Sequence, residues 1–241
     1  MSPKEAAREL LTRVGMVAPG RLVLLLRNGL RYVEGGHWMR AHGYRVPLRV
    51  RSRRELFAVA AREVAGRRVL YLEFGVWRGD SLRAWMELLP GDALLHGFDS
   101  FEGLPESFTS HDIGTFATGG QAPDVRDPRV SFFNGWFEQT LPSYRPPDHD
   151  ALIVNMDADL YSSTIFVLRS LRPWIRPGTL VLFDEFHIAE HEPRAFDDLV
   201  RETGLRFRVV AADQSLTHVL FACVPGDEPP ANRSREGTGA S

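Results

Sequence analysis

The stretch LIVNMDADLYSST, residues 152–164, decides the fold. Leu152 to Val154 form the apolar run of a strand buried on both faces. The run reaches Asp157 and Asp159 at once, and STIFVLRSLRPWI beyond them has helical spacing. A buried strand, a polar turn and a helix make one unit of a parallel α/β sheet. Carboxylates at the end of a buried strand are costly unless something compensates them. The same thirteen residues therefore raise the question of what sits opposite the acids.

The pattern repeats outward. Upstream, VLYLEFG, ALLHGFD and VSFFNG read as strands, with SLRAWMELL as a helix between the first two. Downstream come TLVLFDE, the helical PRAFDDLVRETG, and FRVVAAD followed by LTHVLFACV. The last two are joined only by DQS, which predicts an antiparallel pair. The expectation is an α/β fold: a seven-stranded, mostly parallel sheet with helices on both faces. Residues 67–225 would form this domain. Residues 1–66 read as a helical extension for substrate or homo-oligomer contacts, through EAARELLTRVG and SRRELFAVAAREVAG. Between these, RNGLRYVEGGHWMRAHGYRVPLRVR reads as irregular, and the arginines from Arg45 to Arg54 as a solvated face, with a phosphate or acidic-substrate contact as the alternative. Residues 226–241 are polar and rich in Pro and Gly, and read as a disordered tail. From Ser100 to Arg129 no periodic segment is visible, but Phe101, Leu104, Phe108, Ile113 and Phe116 favour an ordered lid over a linker.

Composition bounds the function. The net charge of −2 on 241 residues gives no basic field for nucleic acid or membrane. Lys4 is the sole lysine among the basic residues, a bias that fits a GC-rich genome. Cys223 is the only cysteine, so no intramolecular disulfide forms. Leu22 to Leu26, between Arg21 and Arg27, is too short for a signal or membrane segment. A reduced, cytoplasmic protein is expected.

In a parallel sheet all strand C-termini share one edge, and ligands bind in the crevice outside it. Here the strands end in Glu73, Asp99, Asp157 and the pair Asp184–Glu185. In the first turn, EFGVWRGDS, Gly75 and Gly79 let the backbone approach a ligand, and the helix start near Ser81 offers free N–H groups. Trp77 and Arg78 break the dinucleotide pattern G-x-G-x-x-G, so a small carboxylate suits this turn better than a pyrophosphate. Asp99 stands where an acid accepts a ribose diol. S-adenosylmethionine, a nucleoside bearing an amino-acid group, meets both conditions. At the other end Asp157, Asp184 and Glu185 converge. Two unit charges 4 Å apart repel by about 4 kcal/mol at an effective dielectric of 20. The cluster needs protons, arginines or a cation, and an all-oxygen set suits Mg²⁺. Such a metal would bind a substrate hydroxyl and lower its pKa.

EFGVWRGDS, GFDSFEGLPESF, NGWFEQTLP, DADLYSST and FDEF, in this order, resemble the macrocin O-methyltransferase family over roughly residues 68–200. These are class I S-adenosylmethionine-dependent methyltransferases with a Rossmann-like fold, many acting on sugar hydroxyls of natural products. The resemblance implies that Glu73, Gly75 and Gly79 line the methionine end of the donor, with Ser81 at the adjoining helix start. It implies that Asp99 holds the ribose, with Ser100 and Phe101 beside the adenine and Asn134, Gly135 and Trp136 at its edge. It makes Asp157, Asp184 and Glu185 the metal positions and Asp157 the general base. Glu185 departs from the family, whose characterised members carry Asp there.

Other readings compete. HIAEHE places His187 and His191 four apart, which on a helix would suit one metal, but Ile188 breaks H-E-x-x-H. His187 is alternatively a base beside the acceptor. DADLY also fits a D-x-D phosphatase, although Tyr161 stands where that pattern wants Thr or Val. A donor-binding protein without turnover would keep the glycine turn and Asp99. The reading adopted is O-methylation of a small-molecule hydroxyl by S-adenosylmethionine, with Mg²⁺ assistance.

Overall fold

The computed structural model describes residues 2–109 and 111–226. The expected tail therefore lies outside the described residues, Gly226 apart. Helices α1 (Pro3–Val17) and α2 (Gly20–Ala41) precede strand β1 (Arg49–Val50) and helix α3 (Arg53–Glu63). Then follow β2 (Val69–Phe74), α4 (Asp80–Leu88), β3 (Leu94–Asp99), β4 (Val130–Asn134) and α5 (Phe137–Thr140). The chain continues through β5 (Ala151–Met156), α6 (Tyr161–Leu171), β6 (Leu180–Phe183), α7 (Glu192–Thr203), β7 (Arg206–Asp213) and β8 (Val219–Val224).

All strands join one sheet in the order β1-β7-β8-β6-β5-β2-β3-β4. β8 alone runs antiparallel, to both β6 and β7. β2 and β5 are buried along their whole length, as central parallel strands must be. Alternate residues feed two cores. Leu70, Leu72, Phe74, Leu152, Val154 and Met156 face α6 and α7. Val69, Tyr71, Ala151 and Ile153 face α3 and α4. Helices thus cover both faces, as expected from the sequence.

Two expectations need correction. The sheet has an eighth strand, β1, of two residues, which pairs in parallel with the end of β7: Val50 lies opposite Asp213. Two residues carry no period, so no pattern betrays them. The segment read as irregular is mostly α2, twenty-two residues long. Gly29, Gly35 and Gly36 argue against a helix there, since each costs about 1 kcal/mol relative to Ala. The structure gives Gly35 another purpose. A Cβ on it would stand 2.9 Å from the His187 Cα, so its absence lets α2 press directly onto the loop after β6. Trp38 and Met39 complete that seam against Phe186 and Phe196. α1, by contrast, buries none of its residues. Among the described residues no helix is long and apolar enough to cross a membrane.

Candidate active site

A cavity of about 480 Å³ opens at the C-terminal edge of the sheet. Gly75, Asp99, Ser100, Gly135, Trp136, Asp157, Asp184 and Glu185, all singled out from sequence, line it. Its roof is the segment after β3. Leu104 and Thr115, and Gly114 and Leu104, pair by backbone hydrogen bonds of 2.9 Å, and Phe101 O accepts from Thr118 and Gly120. Phe108 and Leu104 pack on Leu160 and Ile188. The 100–129 segment is thus an ordered cover, with Leu104 and Phe116 facing the cavity.

One end of the cavity is built by backbone. Gly75 has φ +89°, and a Cβ there would fall 1.9 Å from the carbonyl oxygen of Asp157. Only glycine lets the β2 turn cross the end of β5 so closely. Asp99 Oδ2 accepts from the N–H groups of Val76 and Trp77, each at 2.8 Å, and Oδ1 from Phe101 N–H at 2.7 Å. Those bonds hold Trp77 at φ +49° and Phe101 at φ +58°. A carboxylate offers about four acceptor positions, so Asp99 retains one, on Oδ1. It has room for one hydroxyl rather than a bidentate diol.

Glu73 does not reach the cavity. It is fully buried beneath the turn, where Ser81 Oγ donates to it and Asn155 Nδ2 lies 3.5 Å away. Burial raises its carboxyl to about 7, against the opposing Ser81 contact and the Arg53 charge. Glu73 and Ser81 brace the turn instead of lining the site. Gly79, at φ +77°, begins α4 and packs against Pro123 of the cover. Phe101 is buried under the cover, and Asn134 Nδ2 ties the cover down by donating to Gly120 O at 2.9 Å. These five positions support the cavity from outside it.

The other end is built by charge. The group opposite the acids is Arg53, which no motif had marked. Its Nη2 donates to Asp157 Oδ2 at 2.8 Å, and its Nε lies 2.9 Å from Asp184 Oδ1. His218 Nε2 reaches the same Asp184 oxygen at 3.1 Å, while its Nδ1 sits 2.8 Å from Asp213 Oδ2. Strand β1 explains the geometry: pairing with β7 delivers the chain to the sheet edge, and Ser52 then caps α3 so that Arg53 opens its first turn. The Phe57 ring, 5.3 Å below the guanidinium, fixes its tilt.

These contacts divide the acids. Burial and the Asp184 charge hold Asp157 well above the usual carboxylate range, with Arg53 opposing. Burial also pushes Asp184 upward, but His218 and Arg53 outweigh it, and its carboxyl ends below the ordinary value. Burial raises Glu185 and Asp159 to about 7, helped in each case by neighbouring carboxylates. Asp159 holds φ +57° and lines the cavity beside Asp157. Two acceptors, Asp184 and the nearby Asp213, lift His218 to about 9 despite burial.

His187 lies elsewhere. It faces a smaller recess of about 170 Å³ bounded by Arg27, Asn28 and Arg31 of α2 and by Phe108 of the cover. Glu185 lines both spaces. The His187 ring stacks on Tyr32 at 4.5 Å and its Nδ1 lies 3.5 Å from Glu185 Oε2. Burial, then Arg31, lowers its pKa, so the imidazole is neutral at pH 7. His187 and His191 do not converge on a metal: the segment between them is a turn, and His191 Nδ1 accepts the Tyr161 N–H at 3.2 Å. Tyr161 is structural too, donating to Asp198 at 2.7 Å under Arg194.

The expected Mg²⁺ set fails on its donors. Mg²⁺ demands oxygens at about 2.1 Å in octahedral array. Here Arg53 stands on Asp157 and Asp184, and Glu185 leans toward His187. Among the described residues no three acidic, His or Cys side chains are gathered to hold a metal.

Comparison with known proteins places these features. Residues 49–219 match the profile of the macrocin-O-methyltransferase (TylF) family. The chain is 33% identical to the 8-demethyl-8-(2,3-dimethoxy-alpha-L-rhamnosyl)-tetracenomycin-C 4'-O-methyltransferase of Streptomyces olivaceus, over 58% of this chain and 66% of that protein. It is 25% identical to the demethyldecarbamoylnovobiocin O-methyltransferase of Streptomyces niveus, over 59% of this chain and 62% of that one. The chain thus spans just under two thirds of these relatives. The structure of the O-methyltransferase NovP superposes with a TM-score of 0.57 at 22% identity, covering 72% of this chain and 80% of that one. The calicheamicin methyltransferase CalS11 gives 0.55 at 21%, over 92% and 93%. The fold is that of the Rossmann-like class I methyltransferases.

Proposed function

The chain belongs to the macrocin-O-methyltransferase family, and from that premise we propose that it transfers a methyl group from S-adenosylmethionine to a hydroxyl of a sugar-bearing or related small molecule. Membership sets aside the D-x-D phosphatase reading. One observation carries the proposal: a single cavity is lined by the glycine turn, by Asp99 and, where that turn crosses the end of β5, by Asp157. Donor and acceptor thus share one enclosed space, as in-line displacement requires. The Streptomyces olivaceus and Streptomyces niveus relatives are named for O-methylation of a rhamnosyl-tetracenomycin and of a demethyldecarbamoylnovobiocin, which supports this acceptor class.

In this reading the donor's amino-acid end lies against the Gly75 turn and its ribose offers one hydroxyl to Asp99 Oδ1. Ser100, Gly135 and Trp136 flank the adenine. The acceptor oxygen attacks the sulfonium methyl carbon, a C–O bond forms as the C–S bond breaks, and the acceptor proton passes to Asp157. Burial suits Asp157 to this, because a raised carboxyl is a stronger base than a surface aspartate. The rest of the acceptor extends past Glu185 into the recess under α2, where His187 is neutral and able to accept a hydroxyl. The extension 1–66 thereby contributes to acceptor binding. The cover excludes water. Its lone, buried cysteine suits a reducing cytoplasm.

Calorimetric titration of S-adenosylmethionine, and of its demethylated product, into the folded protein tests the donor half. Micromolar binding is expected, weakened by Asp99→Ala. No binding of either nucleoside would sink the reading.

A further inference from the structure

We propose that Arg53 is the resident cation of this site and stands in place of a divalent metal, so that the Asp157–Asp184 pair is complete without one. The position of the guanidinium carries this. Nη2 meets Asp157 at 2.8 Å and Nε meets Asp184 at 2.9 Å, so one side chain spans the two carboxylates a metal would have to bridge. His218 Nε2 reaches the same Asp184 Oδ1 at 3.1 Å, so a second nitrogen already stands on the carboxylate a metal would need. The third expected ligand, Glu185, lines the same cavity, and its Oε2 lies 3.5 Å from His187 Nδ1.

The arrangement is built rather than incidental. Arg53 is 29% exposed and faces the cavity. It is anchored behind by the β1–β7 pairing and the Ser52 cap, and below by Phe57. Entry of a divalent cation would require this arginine to leave two carboxylates and the ring together. A planar guanidinium also does what a spherical ion does not: it presents several N–H donors in one plane. Nη2 fixes Asp157 by a hydrogen bond, Nε stands beside Asp184 as a close ion pair, and the guanidinium edge facing the cavity offers further donors to the acceptor oxygen. Arg53 is thus a positioning residue for the base.

The test uses Mn²⁺ as the probe, read by electron paramagnetic resonance on the full chain without donor. Wild type should leave Mn²⁺ free, whereas Arg53→Ala should bind it at least about tenfold more tightly. Wild-type turnover should be unchanged in EDTA, and the depressed turnover of Arg53→Ala should rise on adding Mg²⁺. A one-to-one Mn²⁺ site in wild type that Asp184→Asn abolishes would overturn the proposal. So would a folded Arg53→Ala protein that binds Mn²⁺ no better than wild type. If Arg53→Ala does not fold, the wild-type titration and the EDTA assay still decide. The kinetic arm rests on the methyl-transfer reading and the Mn²⁺ arm does not, so failure of nucleoside binding leaves the metal result standing.

Discussion

Two parts of the cavity wall, which meet where the Gly75 turn crosses Asp157, are made in different ways. The Gly75–Asp99 end is held by backbone: a glycine at φ +89° and three N–H groups on one carboxylate, all within the span from residue 75 to residue 101. The Asp157–Asp184 end is held by side-chain charge, and its partners come from residues 53 and 218, far away in the chain. A backbone-held end fails on added volume, and here also on loss of the one carboxylate that gathers its N–H groups. A charge-held end tolerates changes of volume and fails when one partner is lost, because an unpaired buried charge remains.

The sharpest way to break this comparison is Gly75→Val. A Cβ has no room before the Asp157 carbonyl, and strain plus overpacking should cost about 4 kcal/mol or more. The urea midpoint should collapse, and a near-normal midpoint would refute the backbone account. Next is Asp157→Asn, which keeps the volume and removes the base. Turnover should fall by about 10²- to 10⁴-fold, with calorimetric affinity for the demethylated donor product unchanged. Loss of that affinity would show that the two ends are not separable.

His218 gives a smaller, pH-dependent effect. In the folded protein it titrates at about 9, above the ordinary histidine value of 6.5. A raised histidine contributes stability that is fully present below about pH 6.5 and is lost as pH rises through about 9. Wild type should therefore lose on the order of 2 kcal/mol between pH 6.5 and 9.5, and His218→Gln should lack that slope. Urea denaturation across the range checks both. The smallest effect is expected at Gly35→Ala. Added helix propensity and the 2.9 Å approach to His187 oppose each other. Stability should move by no more than about 1 kcal/mol, while acceptor KM rises and donor affinity stays fixed.

The same contrast explains what sequence reveals. The strand series, the antiparallel close, the glycine turn and the four acidic strand ends were legible because each is local. Asp99 and Asp157 announce themselves as the last residue of an apolar run. Arg53 does not: it is one of several arginines between residues 45 and 54, and only the pairing of Val50 with Asp213 selects it. His218 lies inside what reads as a strand, and its role appears only when β7 and β8 turn back together. Glu73 was misplaced for the opposite reason. It sits at a strand end like the others, but its face of β2 points to α4, so it braces Ser81 rather than meeting a ligand. Glu192, buried under the Glu185 N–H at 2.8 Å, likewise supports the site without a motif.

The glycine seam between α2 and the loop after β6 has a further consequence. The family match begins at residue 49, whereas Arg27, Asn28 and Arg31, which wall the second recess, lie before it. In the proposed reading the recess that would take the acceptor is shared: α2 supplies one wall from before the family match, and Phe108, Glu185 and His187 supply the other from within it. A lineage can recut its acceptor range by rewriting one helix while leaving the sheet untouched. Grafting the 20–47 segment of a relative onto this sheet is accordingly the most economical route to a new acceptor.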